Sequence, residues 1–102
     1  MTIESIRKLK EEGKTKWANH CVEKMGERDI SVADVKSCIE SGEIIEEYPN
    51  DYPNPSCLIC GKDDNGEVIH LVVGSDGEIL YLITAYHPNT LKFEADLKTR
   101  RK

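Results

Sequence analysis

The chain has 102 residues, 38% of them hydrophobic, and its 14 Lys and Arg against 19 Asp and Glu leave a net charge of −5. That length suits one domain over residues 1–102 with a single modest core, and a second domain is not expected. The longest apolar run, residues 79–83, falls far short of the ~20 a membrane helix needs, so a soluble cytoplasmic protein with no membrane partner is expected; the acidic balance argues against non-specific coating of nucleic acid.

Ile3, Ile6 and Leu9 recur at helical spacing before Gly13, which predicts an amphipathic helix over residues 2–12 opened by Thr2. Trp17, Ala18, Cys21, Val22 and Met25 predict a second helix over residues 15–26, with His20 on another face. Ser31 followed by Asp34 resembles a capping box, and Val32, Val35 and Ile39 give a third helix its buried stripe. Gly42 is expected to end it in the left-handed conformation.

A short edge strand follows over residues 43–48, its charges deterring pairing with another chain. Pro49, Pro53 and Pro55 then stiffen a loop that carries Tyr48 and Tyr52. Residues 56–61 make the next strand, and Asn65-Gly66 turns the chain into residues 67–74. This run is apolar on both faces, with Ile69, Leu71 and Val73 on one side and Val68, His70, Val72 and Gly74 on the other, so it is placed at the sheet centre. Asp76-Gly77 leads into a last strand over residues 78–86, which Pro88 stops. Asn89 or Thr90 can cap a final helix anchored by Phe93 and Leu97, with the basic residues 98–102 projecting outward. The expected fold is therefore α+β, with helices packed on one face of a four-stranded antiparallel sheet and a C-terminal helix.

Charge is unevenly spread. No basic residue lies between Lys36 and Lys62, where Glu40, Glu43, Glu46, Glu47 and Asp51 cluster, while residues 98–102 carry four positive charges. Both clusters read as solvated surface. The four cysteines, Cys21, Cys38, Cys57 and Cys60, are scattered over helix-like and strand-like segments and read as reduced core residues. Cys57 and Cys60 with Gly61 also have the outline of a zinc knuckle. A regular strand would point residues three apart to opposite faces, however, and a second Cys pair is missing, so zinc held by Cys57 and Cys60 is a minor alternative to no cofactor and no metal.

Several ordered stretches resemble a known family. Asn19-His20-Cys21 through Arg28-Asp29-Ile30-Ser31, Ser41-Gly42-Glu43-Ile44-Ile45-Glu46, Tyr52-Pro53-Asn54-Pro55-Ser56-Cys57-Leu58, Ile69-His70-Leu71-Val72-Val73 and Ile83-Thr84-Ala85-Tyr86-His87-Pro88, continuing through Phe93 and Arg100, are similar to domain-of-unknown-function family 4258 over about residues 17–101. The family in turn resembles the RelE-like fold, whose better-known members are small toxins that cleave RNA, often on the ribosome and paired with an antitoxin. The resemblance implies RNA or ribosome binding, metal-independent RNA cleavage and an antitoxin-like protein partner. Such cleavage needs a base, an acid, and cations or donors at phosphate. On that footing His70 and His20 are the base and acid, and Arg28, Tyr86 and Arg100 the phosphate ligands. His87 lies near Tyr86 without an implied role.

Each candidate also has a plainer reading. His70 can be a neutral core histidine, His20 a surface residue, Arg28 a partner of the neighbouring acids, Tyr86 a half-buried aromatic and Arg100 part of a solvated tail. The rival function is a non-catalytic protein-interaction domain using the loop from Tyr48 to Pro55 and the acidic edge. A catalytic site requires His70, Tyr86 and Arg100 to share an open cleft; the interaction domain requires an exposed apolar patch around Tyr48 and Tyr52, with His70 sealed.

Overall fold

A computed structural model describes residues 1–101; Lys102, the last residue of the basic tail, lies outside them. The elements are α1 (Ile3–Glu11), β1 (Thr15–Trp17), α2 (Asn19–Arg28), α3 (Val32–Ser41), β2 (Glu43–Tyr48), β3 (Ser56–Lys62), β4 (Val68–Ser75) and β5 (Leu80–Tyr86), and the strands form one sheet in the order β1-β5-β4-β3-β2. β4 is its centre, as its two apolar faces predict.

The expected α+β class holds, but the sheet is mixed and has five strands. Thr15–Trp17 does not open the second helix; it pairs parallel to β5, with Thr15 opposite Leu80 and Trp17 opposite Leu82. Leu80 N–H donates to Lys14 O at 2.8 Å and Ala18 N–H to Leu82 O at 3.1 Å, bonds that need β5 alongside. Three residues expected in the second helix, Trp17 of its apolar stripe among them, are thereby drawn into the sheet. α2 starts at Asn19 and runs through Gly26 to Arg28, where Asp29 takes the left-handed conformation with φ 57° and donates to Met25 O.

The predicted cap of α3 is present. Ser31 Oγ accepts from Asp34 N–H at 3.1 Å, and Asp34 accepts from Ser31 N–H at 2.8 Å. The other end differs from expectation: Gly42 is extended, with φ −91° and ψ 173°. Its missing side chain matters for contact, since a Cβ there would lie 2.4 Å from Cys38 O and 2.7 Å from Ile59 Cγ2. The carbonyls at this helix end are met instead by Arg7, whose guanidinium donates to Ile39 O, Glu40 O and Gly42 O at 3.0–3.1 Å. A cation from α1 therefore closes the negative end of α3.

All three helices lie on one face. Ile6, Cys21, Met25, Val35, Cys38 and Ile39 pack on Ile59, Ile69, Leu71, Val73, Leu80 and Leu82 to form the main core. Fully burying each of the larger aliphatic side chains contributes about 1.5–3 kcal/mol. The other face carries Leu58, Cys60 and His70, and its cover is the segment after β5. No helix forms there: Phe93 bridges antiparallel to Arg100, Glu94 N–H donates to Thr99 O at 2.7 Å, and Leu97 has φ 58°. Phe93 anchors the segment as expected, while Leu97 ties it down through its backbone carbonyl; the segment is a tight loop, because these partners lie on the sheet and not along a common helix face. Asp96 holds the turn by accepting from the N–H groups of Lys98 and Thr99, which lowers its carboxyl to about 2.

Candidate functional site

β4 and β5 register His70 opposite Tyr86 and put both on the face without helices. The His70 ring is 0% exposed. Phe93 meets it edge-on with centroids 4.6 Å apart, and Tyr86 does so at 5.3 Å. Both nitrogens are engaged: Nε2 with Leu97 O at 2.6 Å, Nδ1 with Tyr86 Oη at 3.2 Å. Burial pushes the imidazole below its ordinary value of 6.5, with the Leu97 bond opposing. His70 therefore does not reach solvent, so it lacks the access a base for an incoming ribose requires.

Its companions do converge. Arg28, Tyr86, His87, Asn89, Lys92, Phe93 and Arg100 line one open cleft of about 490 Å³. Arg28 reaches it from the end of α2, held by bonds from Nη1 to Ala85 O at 2.8 Å and Thr84 Oγ1 at 3.3 Å. The ion pair expected between Arg28 and nearby acids does not form; among the described residues neither Arg28 nor Lys92 has a carboxylate within 4.0 Å. Three cations thus face one cleft in a chain of net negative charge. Burial raises the Tyr86 hydroxyl above its ordinary value, while Arg100 pulls the other way.

Arg100 differs from the other two cations. Its Nε and Nη2 donate to both oxygens of Glu46, at 3.1 and 3.0 Å, and its guanidinium lies 4.8 Å over the Phe93 ring. Tyr48 Oη also donates to Glu46, and Lys98 pairs with Glu43 at 2.7 Å. The acidic edge and the basic tail, read separately as solvated clusters, are in part each other's partners. His20 does not line the cleft: it sits exposed near the start of α2, eight residues before Arg28, or about 12 Å along a helix.

Cys57 and Cys60 face opposite sides of β3, Cys57 within the helix-side core and Cys60 with its Sγ near Leu97 O, so one ion cannot bridge them. Burial lifts the Cys38 thiol to about 12 and the Cys57 thiol to about 11, which disfavours the thiolate a metal or a redox partner needs. Asp63, Glu67 and His87 bring one ligand atom each within 4.8 Å of one another. Asp63 Oδ1 is already occupied by the N–H groups of Asn65 and Glu67 in the hairpin turn.

The family described as domain of unknown function DUF4258 matches residues 17–87. The chain belongs to that family. His20, Arg28, His70 and Tyr86 fall inside the matched stretch, whereas Lys92, Phe93 and Arg100 follow it, so the family region ends earlier than residue 101. No curated protein and no solved structure matches the chain. Sequence reasoning missed Lys92 as a cleft residue. Its only signal was a lone cation one position before Phe93.

Proposed function

We propose that this DUF4258 domain binds RNA, free or on the ribosome, by taking backbone phosphate into the cleft of Arg28, Lys92 and Arg100. The observation that carries the reading is two cations that have no carboxylate within 4.0 Å among the described residues and a third beside them, all facing one open cleft. Guanidinium and ammonium groups are donors only and suit phosphate oxygens. The ordered motifs that suggest RelE-like kinship favour the same ligand class, and the four free, buried cysteines suit a reducing cytoplasm. Should RNA be cleaved, the groups able to move protons at the cleft are Tyr86 and His87, in place of His70 and His20.

Anisotropy of a labelled single-stranded RNA, measured across salt concentrations, tests the binding. Affinity should fall as salt rises, and Lys92→Ala should weaken binding and reduce the salt slope by about 1. Wild-type protein that leaves the RNA free at low salt refutes the reading.

A second surface favours a protein partner, in the manner of an antitoxin. Tyr52 is 92% exposed beside a shallow apolar depression formed with Pro53, Tyr81 and Ile83. The sealed His70 and the exposed Tyr52 support this reading, although Tyr48 does not line the depression and its hydroxyl donates to Glu46 instead.

A further inference from the structure

The bonds of His70 determine what Tyr86 can offer a ligand. A carbonyl oxygen only accepts, so the 2.6 Å contact with Leu97 O requires the proton of a neutral imidazole to be on Nε2. Nδ1 then carries a lone pair, and the group facing it at 3.2 Å is the Tyr86 hydroxyl. The phenol has one proton, and this contact directs it inward. Tyr86 is left with lone-pair density for anything else that approaches its oxygen. Burial favours the neutral imidazole on which the arrangement depends, and it keeps the phenol protonated.

The cleft therefore combines two opposite requirements. Arg28, Lys92 and Arg100 can only donate, and they suit the anionic oxygens of a phosphodiester. Tyr86, beside them, suits a donor, and a phosphodiester has none. A ribose 2′-hydroxyl supplies one next to the phosphate, whereas deoxyribose does not. We propose that Tyr86, held as an acceptor by His70, makes the cleft select ribonucleotide over deoxyribonucleotide strands. His70 is then a positioning residue that never touches the ligand. The inference rests on the phosphate-binding reading above.

The test compares one sequence as RNA, as DNA and as 2′-O-methyl RNA, by anisotropy with the full chain. Wild-type protein should bind RNA roughly fivefold more tightly than DNA, the value of one hydrogen bond, and should bind the 2′-O-methyl strand like DNA. Tyr86→Phe should remove the preference, its affinity for RNA falling to meet its own affinity for DNA. The nitrogen shifts of His70 in the unmutated protein should report a protonated Nε2 and a bare Nδ1, independent of whether any His70 variant folds. Equal wild-type affinity for RNA and DNA, a preference that survives in Tyr86→Phe, or a proton on Nδ1 each overturns the selectivity and leaves phosphate binding standing. Failure to bind either polymer overturns the phosphate reading and the selectivity with it.

Discussion

Phe93→Ala should uncover His70. Phe93 is 1% exposed, packs edge-on to the imidazole, and supports the Arg100 guanidinium on its outer face. Truncating a buried Phe costs about 3–5 kcal/mol, and the lost cation–π contact adds about 0.5–1 kcal/mol. What else ties this segment to the sheet is modest. The Lys98–Glu43 and Arg100–Glu46 pairs are solvent-exposed and contribute little, while the Leu97–His70 hydrogen bond contributes about 1 kcal/mol. Ordering the loop costs about 1–2 kcal/mol per residue in backbone entropy, so without Phe93 the segment should detach while the helix-side core stays folded. The assay is an NMR titration of the His70 ring alongside urea unfolding. The imidazole pKa should climb from its depressed position toward the ordinary 6.5 once water reaches it. An unchanged His70 titration, together with a loss of stability under about 1 kcal/mol, would show that Phe93 is not the seal.

Three further outcomes can be measured. Arg7→Ala removes the donor to three carbonyls at the end of α3 and should cost about 2 kcal/mol in urea unfolding, since hydrogen bonds from a charged donor are worth about 1.5–3 kcal/mol and some of these carbonyls can rebind water. Gly61→Ala should destabilise by about 1–3 kcal/mol, because its Cβ would lie 2.3 Å from Cys38 O; Gly26→Ala, inside α2 with open space around it, should stabilise by about 0.5–1 kcal/mol. Stability should fall with acid in two stages. The depressed His70 contributes stability that is complete above 6.5 and lost as pH drops toward its folded value, because the unfolded chain binds the extra proton there. Asp34, lowered by N–H bonds from Ser31 and Asp64, adds stability that is present above 3.8 and lost as pH falls through its folded value; other lowered carboxyls such as Asp96 act in the same range, so Asp34→Asn should reduce the second stage in a thermal-melt series without abolishing it.

Much of the architecture is local and could be read from spacing. Thr2 and Ser31 cap helices because their side chains reach an N–H three residues on, and β4 is central because both its faces are apolar. Where the structure departs from that reading, the deciding partner is far away in sequence. Thr15–Trp17 becomes a strand only against β5, and Phe93 and Leu97 leave the helical conformation because the exposed half of the sheet needs cover. The candidate site divides in the same way. Arg28, Tyr86 and Arg100 were named from motifs and do meet at one cleft, whereas His20 and His70 carry equally suggestive motifs and do not line it.

The amino-acid sequence alone determined the elements whose hydrogen bonds and apolar faces repeat over a few residues, together with the α+β class and the family. Only the tertiary structure decided that the imidazole in the central strand is enclosed. Its exposure depends on a loop that begins some twenty residues later and folds back, and no local periodicity encodes whether a polar ring faces water or a carbonyl.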